Sequence, residues 1–258
     1  MPQNYVIKLG GSVISRQGDL VFDFDYLNNL KKTLEPFFAQ ENKFFITLGG
    51  GHLMRQYRDL ALQAGLKQDD ELHWMGIAVN TLHAQLTRAF WHDIADKDIY
   101  QGDDYYSATP LVIENKVKLG GGGRPGTSGD KDALMASIEL NAKGEFWGSG
   151  DMDALMVAIK LKTELVISLK NIDAVYSADP KKDPNAKRLE KITWDEYLDI
   201  IGNPEEHAPG ANYPVDPVTA KIAKEKGIAF QIMLGSDLEN FAKALEGNKS
   251  LGTIISDN

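Results

Sequence analysis

The sequence predicts an α/β protein, a three-layer αβα sandwich in which helices cover both faces of a central, mainly parallel β-sheet. Two observations lead to this prediction. Short runs of apolar and β-branched residues alternate along the chain with longer segments of helical apolar spacing. Three of the predicted strands also end in clusters of glycine. Because parallel sheets bind ligands beyond the carboxyl ends of their strands, we expect these glycine-rich loops to meet at one edge.

The predicted elements follow from local composition, and two helix boundaries carry specific signals. Gly65 is placed to end the second helix. Asp216 and Pro217 are a typical N-cap and first residue for the fifth helix. The predicted strands span residues 5–9, 43–48, 111–119, 164–169, 229–234 and 252–256. The predicted helices span residues 25–41, 52–64, 74–94, 151–161, 217–227 and 238–245.

The composition limits the kind of protein and its partners. The 258 residues are 43% apolar and 25% charged, which suits a single domain, 1–258, with room for two fused lobes. The net charge of −9 argues against binding of nucleic acid, although local lysines and arginines can still hold a small anion. The sequence has no cysteine, no apolar run long enough for a bilayer and no export signal near its start. We therefore expect a cytoplasmic protein with no membrane partner.

A first candidate phosphate site follows the first predicted strand, in the run Lys8-Leu9-Gly10-Gly11-Ser12. Glycine lets backbone N–H groups approach oxygen atoms closely, and the lysine adds a positive charge on a flexible side chain. The run does not match the P-loop pattern, which occurs nowhere in the sequence. A strand edge followed by a plain turn explains the same residues equally well, so the motif alone leaves both interpretations open.

Two further glycine clusters follow predicted strands. Residues 49–51 are three glycines that open a helix, and Arg55 lies about one turn further on. This arrangement suits an anion site at a helix N-terminus, with a flexible turn as the alternative. Residues 120–126, GGGGRPG, could pass close to a phosphate or form a mobile loop.

One short repeat is visible within the chain. GDKDALMASI begins at Gly129 and GDMDALMVAI begins at Gly150, and seven of their ten positions are identical. The period does not continue, so the pair is a local tandem duplication or a chance similarity between two helix starts.

Taken in order, these pieces resemble the amino acid kinase superfamily, and within it the uridylate (UMP) kinases of archaeal type. The similarity runs from Val6 to Ile255, and its most specific part is LKNIDAVYSADPKKDP, which resembles the family's nucleotide-binding segment. The segments GGGHLMRQYRDLA, GANYPVDPVTAKIAKEKGI and LEGNKSLGTIIS resemble further parts of the same group. The resemblance implies the αβα fold of that family, with an acceptor-binding lobe of about residues 1–160 and an ATP-binding lobe of about residues 161–258.

The resemblance also implies an ATP-dependent phosphotransferase that converts UMP to UDP by direct in-line transfer, with Mg²⁺ as a cofactor. It assigns Lys8 to the charge of the transferring phosphoryl group, and Lys221, otherwise an ordinary solvated helix lysine, to charge balance on the ATP side. The other ATP-binding residues that it implies are Gly10, Gly11, Ser12, Lys170, Asp173, Tyr176 and Asp179. The acceptor-binding residues that it implies are Gly50, Gly51, Arg55, Gly122, Thr127 and Asp151. No side chain is assigned as a metal ligand.

Departures from the family pattern leave the acceptor open. Both copies of the repeat, around 127–132 and 149–153, compete for the stretch that touches the nucleoside. Lys170 stands where relatives often have a small polar residue. The alternatives to a UMP kinase are a kinase of another small acceptor, such as isopentenyl phosphate or an amino acid, and a storage protein for molybdenum or tungsten oxoanions. As partners, the resemblance implies small-molecule nucleotides and further copies of the chain in a homo-oligomer, for which a hexamer is one option.

Overall fold

The computed structural model describes residues 2–15, 22–66, 69–124, 149–202 and 213–257. Within these ranges the strands are β1 (Asn4–Leu9), β2 (Lys43–Leu48), β3 (Val117–Gly120), β4 (Leu165–Lys170), β5 (Val175–Tyr176), β6 (Arg188–Leu189), β7 (Lys191–Ile192), β8 (Ala229–Leu234) and β9 (Thr253–Ile255). The helices are α1 (Gly11–Ile14), α2 (Phe24–Phe38), α3 (Gly51–Gln63), α4 (Asp69–Phe90), α5 (Gly150–Leu161), α6 (Trp194–Ile201), α7 (Pro217–Lys226) and α8 (Leu238–Leu245). A short 3₁₀ helix, Gly102–Tyr105, follows α4.

Seven of these strands form one sheet in the order β3-β2-β1-β4-β8-β9-β7. Neighbouring strands run parallel, except that β8 and β9 pair antiparallel. The strands β5 and β6 form a separate antiparallel hairpin. From β1, the strand order continues on one side through β2 and β3, and on the other side it begins with β4. The crevice at the carboxyl ends of β1 and β4 is therefore the topological switch point, where open α/β sheets bind ligands.

Different helices cover the two faces of the sheet, because successive side chains of a strand point to opposite sides. In β1, Val6 joins a buried cluster with α5, α6 and α7. Ile7 and Leu9 join a second buried cluster on the other face, with α2, α8 and part of α4. These two cores confirm the predicted three-layer αβα sandwich. No helix in the described ranges combines the length and the apolar character that crossing a membrane requires.

The predicted strand 111–119 is wrong over most of its length, since only Val117–Gly120 is a strand. The reason is Asp96, whose buried carboxylate accepts hydrogen bonds from the backbone N–H groups of Glu114 and Asn115. A side chain distant in sequence thus takes the place of a strand partner. The helix α4 both begins and ends earlier than predicted, and the sequence does not predict α6 or the β5–β6 hairpin.

The same carboxylate forms a buried ion pair whose energy can be tested. The Nζ atom of Lys118 lies 3.1 Å from Asp96 Oδ2 and 3.3 Å from Asp98 Oδ2. The Asp96 side chain is fully buried, whereas that of Asp98 is 70% exposed. We expect Asp96→Ala to lower the free energy of unfolding by about 3–5 kcal/mol, because the buried ammonium group of Lys118 then keeps only the exposed Asp98 as a partner.

Asp98→Ala is the matched control for this prediction. It should change the free energy of unfolding by less than about 1 kcal/mol, because an exposed ion pair contributes little. Urea denaturation of both variants makes the comparison. Equal losses in the two variants would contradict the structural role given to Asp96.

Candidate active site

The register of the sheet brings two lysines together at the switch point. Lys8 of β1 is paired with Ser168 of β4, and Lys170 is the last residue of β4, two positions further on. Because side chains alternate along a strand, all three lie on the same face of the sheet. The two strands stay together at this end, since the Gly10 N–H donates to the Leu169 carbonyl oxygen at 2.8 Å. Both ammonium groups therefore face the helix layer that contains α5.

One carboxylate joins the two ammonium groups. The Oδ1 atom of Asp151 lies 3.0 Å from the Nζ atom of Lys8 and 3.2 Å from that of Lys170. The three side chains are between 9% and 14% exposed, so little water separates them. With both lysines charged, this triad carries one net positive charge, which favours an anion beside it.

Burial and charge act against each other in the triad. Burial raises the pKa of Asp151, but the two lysines outweigh burial and its pKa is lowered. Burial lowers the pKa of Lys8, but the charge of Asp151 and its hydrogen bond outweigh burial and the pKa is raised. Burial lowers the pKa of Lys170 to about 7, an effect that Asp151 opposes and the positive charge of Lys8 reinforces. Lys170 is therefore the group of the triad that exchanges a proton near neutral pH.

The N-termini of α5 and α7 are joined to each other beside the triad. Ser149 caps α5 by accepting a hydrogen bond from the Met152 N–H, and its hydroxyl donates to Asp216. Asp216 caps α7, as the sequence predicts, by accepting from two backbone N–H groups of the first turn. The positive ends of two helix dipoles thus lie near the lysines, and they add to the preference for an anion.

The loops after β1 and β2 are in direct contact, and this contact requires glycine on both sides. A Cβ atom on Gly11 would lie 2.1 Å from the Gly51 nitrogen, and one on Gly51 would lie 2.2 Å from the Gly11 carbonyl oxygen. Gly51 also has a φ of +58°, in the left-handed region, and Gly50 is the N-cap of α3. From the second turn of α3, Arg55 donates to the Ser12 hydroxyl at 3.3 Å. The predicted ATP loop and the predicted acceptor loop therefore form one continuous surface.

A cavity of about 730 Å³ lies at the end of β3, the strand next to β2. Its walls come from α4, the 3₁₀ helix and the loop after β3, through Trp74, Ile77, Thr81, Gln101–Asp104 and Gly122–Arg124. Gly122 packs so tightly on α4 that a Cβ atom there would lie 2.7 Å from the Ile77 Cα. Two of the lining residues, Arg124 and Asp103, form an ion pair. Thr127, which is predicted to bind the acceptor, lies outside the described residues, as does the first copy of the repeat.

A buried acid, Asp153, touches the glycine loop of this cavity from α5. Its Oδ2 accepts from the Gly123 N–H at 3.2 Å, and a Cβ atom on Gly123 would lie 2.3 Å from its Oδ1. Within the part of the chain that the structure describes, Oδ1 has no hydrogen-bond partner. Burial raises the pKa of Asp153 to about 8; the Gly123 N–H opposes this effect and the Asp151 carboxylate adds to it. Asp153 is therefore a neutral acid at pH 7.

The remaining predicted residues lie away from the triad. Asp173 accepts hydrogen bonds from the Tyr176 hydroxyl and, at 3.2 Å, from the Arg188 guanidinium, all in or beside the β5–β6 hairpin. Asp179 lies in an exposed turn, where it accepts from a backbone N–H. Lys221 is exposed on the second turn of α7 and, among the described residues, forms no ion pair. The ATP-side roles of these residues remain predictions.

The sequence assigns no role of their own to Ser149, Asp153 or Arg188. A serine two positions before the predicted helix 151–161 is an ordinary N-cap signal and could have identified the first of them. The other two carry no local signal, because their importance comes from contacts with glycine or aspartate residues elsewhere in the chain.

A switch-point site with two lysines, two contacting glycine loops and two helix N-termini is suited to phosphate in an α/β protein. The model of the amino acid kinase family matches residues 128–233. The uridylate kinase of Archaeoglobus fulgidus is 30% identical over 250 residues, which are 97% of this chain and 98% of the relative. The uridylate kinase of Methanoculleus marisnigri is 31% identical over 252 residues, which are 97% and 94% of the two chains. The chain therefore belongs to the amino acid kinase family.

Solved structures agree with this assignment. The crystal structure of the Archaeoglobus fulgidus uridylate kinase matches with a TM-score of 0.72 and 28% identity, over 99% of this chain and 100% of the other. The UMP kinase of Bacillus anthracis has a similar fold, with a TM-score of 0.71 at 17% identity, over 100% of this chain and 98% of the other.

The protonated state of Asp153 predicts a pH dependence of stability. The folded protein keeps this proton up to about pH 8, whereas the ordinary pKa of an aspartate in the unfolded chain is 3.8. As pH rises between these values, ionisation favours the unfolded chain, so Asp153 lowers stability by about 1.4 kcal/mol per pH unit. The free energy of unfolding of Asp153→Asn, relative to that of the wild type, should therefore rise by about 3 kcal/mol between pH 5 and pH 7.

Urea denaturation at several pH values tests this expectation. Asp98→Asn, which alters an exposed carboxylate, is the control and should keep the wild-type dependence on pH. If Asp153→Asn also kept that dependence, the buried proton would not exist.

Proposed function

We propose that this protein is an ATP:UMP phosphotransferase, which converts UMP to UDP by direct in-line transfer of the γ-phosphoryl group of ATP. The observation that carries the proposal is the Lys8–Asp151–Lys170 triad, which lies at the switch point beside two contacting glycine loops. One loop would hold the phosphates of the donor, and the other, with Arg55, would hold the phosphate of the acceptor. Uridylate kinases that are 30% and 31% identical over nearly the whole chain support UMP as the acceptor.

On the donor side, the chain supplies charge that is already in position. In phosphoryl transfer the negative charge spreads over the equatorial oxygens of the moving group, so fixed cations stabilise the transition state. Lys8 would provide such a cation, because its ammonium group is held 3.0 Å from Asp151 before any substrate arrives. Gly10 and Gly11 would let the donor phosphates approach the backbone, and Ser12 would add a hydroxyl donor.

The transfer itself needs no covalent enzyme intermediate. A phosphate oxygen of UMP attacks the γ-phosphorus, the bond from that phosphorus to the β–γ bridging oxygen breaks, and ADP leaves. The chain contributes position and charge to this step, and the contact between the loops at Gly11 and Gly51 would bring the two reactants close together.

The residues present fit a magnesium ion that enters with ATP. The described residues contain no group of three histidine, aspartate or glutamate side chains that could hold a metal ion, and Asp151 is already shared by two lysines. Magnesium usually keeps several waters and takes its other ligands from substrate phosphates and one or two carboxylates. When bound, it would neutralise part of the charge on the β- and γ-phosphates, while Lys8 and the glycine loop hold those phosphates in place.

On the acceptor side, the cavity would hold the base of UMP and Arg55 would hold its phosphate. A volume of about 730 Å³ is in the range of small-molecule sites. Trp74, which is 51% exposed, offers an aromatic surface for the base. Arg55 can exchange its hydrogen bond with the Ser12 hydroxyl for a bidentate contact with the UMP phosphate.

An acceptor panel tests the proposal. The purified protein is incubated with Mg-ATP and UMP, CMP, dTMP, isopentenyl phosphate, glutamate, acetylglutamate or carbamate, and a coupled reaction follows ADP release. We expect UMP to be the best acceptor, and Lys8→Ala to lower kcat by about 10²–10³-fold because a preset cation is lost. If another compound were the best acceptor, that compound would replace UMP as the proposed substrate. No turnover with any acceptor, together with tight binding of molybdate or tungstate, would favour oxoanion storage.

Arg55→Ala should weaken UMP binding selectively. Loss of a charge-assisted contact of about 1.5–3 kcal/mol raises the KM for UMP roughly 10–100-fold and leaves the KM for ATP nearly unchanged. The matched control is Arg58→Ala, one turn further along α3, because this arginine pairs with the exposed Asp59 and not with the glycine loops. Steady-state kinetics with both substrates varied makes the comparison. An equal rise in both KM values would place Arg55 outside the acceptor site.

A further inference from the structure

Lys170 is placed like a substrate-binding group and not like a structural ion pair. Its side chain is 10% exposed and shares the carboxylate of Asp151 with Lys8, which lies closer to that carboxylate. Among the described residues, Asp151 is the only carboxylate in ion-pair contact with either ammonium group, so the free site leaves Lys170 undercompensated. Its Cα also lies against the phosphate loop, 3.6 Å from where a Cβ atom of Gly10 would be. An anion on that loop would supply the missing negative charge.

We propose that Lys170 is the second cation of the phosphoryl-transfer site, and that its amine takes up a proton from solvent when nucleotide phosphates bind. This inference rests on the proposed function and adds to it a binding step coupled to protonation. The chemistry is balanced by one proton: solvent or buffer gives a proton to the neutral amine, an N–H bond forms, and the ammonium then contacts a phosphate oxygen. Nothing is oxidised or reduced.

The charged surroundings of Lys170 support this coupling. From β1 it faces Lys8, whose charge disfavours a second ammonium group, and from α5 it faces Asp151, which favours one. Two more acids lie near the triad, Asp153 on α5 and Asp216 at the N-cap of α7, and Asp153 is neutral at pH 7. Burial leaves the pKa of Lys170 at about 7 in the free protein. Phosphate charges beside it would raise that pKa by several units, because an opposite charge at short range favours the charged form.

The alternative second cation, Lys221, is less well placed. It is exposed on the second turn of α7, whereas Asp216 at the start of the same helix lies near Lys8. An exposed lysine keeps its full hydration and contributes less to a buried transition state than a lysine already inside the site.

Calorimetry measures the coupled proton directly and does not require turnover. Mg·AMPPNP, a non-hydrolysable ATP analogue, is titrated into the whole protein in buffers of different ionisation enthalpy, and the dependence of the observed enthalpy on the buffer gives the protons taken up. From a free pKa of about 7, we expect uptake of roughly three-quarters of a proton at pH 7.5 and roughly one-tenth at pH 6.

Two variants assign this proton to Lys170. Lys170→Arg stays charged at both pH values, and Lys170→Met cannot be charged, so uptake at pH 7.5 should disappear in both. Protons that the analogue itself exchanges on binding are the same in the wild type and in both variants. The difference between them therefore gives the proton of Lys170. Lys249→Met, at an exposed loop position, is the matched control and should keep the wild-type uptake. In turnover, Lys170→Met should lose roughly 100-fold in kcat.

The outcomes separate this inference from the proposed function. Uptake that follows pH as stated and vanishes in both variants supports the role of Lys170, whether or not UMP is the acceptor. Turnover of UMP without uptake, or uptake that persists in Lys170→Arg, overturns the inference and leaves the kinase activity intact. Failure of Mg·AMPPNP to bind overturns it as well, and the acceptor panel then decides separately on the proposed function.

Discussion

The site depends on one carboxylate, that of Asp151, which is held between two buried lysines. Two ammonium groups this close together repel each other strongly where little water remains. Asp151 offsets most of that repulsion and holds the two Nζ atoms 3.0 and 3.2 Å from one oxygen. Its own position comes from the backbone, because the Ser149 cap of α5 is hydrogen-bonded to the Asp216 cap of α7. A shift of either helix N-terminus would therefore move the carboxylate away from the lysines.

The contact between the glycine loops after β1 and β2 also depends on the close approach of two groups. Side chains at Gly11 or Gly51 would overlap the opposite backbone, so the contact exists only because both positions lack a Cβ atom. It brings Arg55 within hydrogen-bond distance of Ser12 and so joins an arginine of one loop to the other loop. The spacing of the two glycine loops is thus fixed by the main chain.

Much of the fold could be predicted because its signals are local. Apolar runs, helical spacing and glycine clusters at strand ends are visible in short stretches of sequence. The same stretches identify Lys8 and Arg55 as candidate residues of phosphate sites. The contact between Asp151 and the two lysines could not be predicted in this way. It depends on the face of β4 that Lys170 occupies and on which copy of the repeat forms α5. The predicted strand 111–119 fails for a similar reason, since the group that binds its backbone is Asp96, distant in sequence.

The electrostatics of the free site is unfavourable at two buried groups, and at one of them, Lys170, a phosphate would supply the missing charge. Asp153 carries a proton that an exposed aspartate would lose, and burial lowers the pKa of Lys170 from the ordinary 10.5 of lysine to about 7. Both departures reduce the stability of the free protein near neutral pH. Groups perturbed in this direction concentrate at sites where a ligand provides the missing charge, because the same burial that weakens the free state strengthens each contact with the ligand. A neutral Asp153 adds no negative charge next to the incoming phosphates, and a protonated Lys170 adds a positive one. Neither buried group therefore opposes the binding of an anion at the glycine loops.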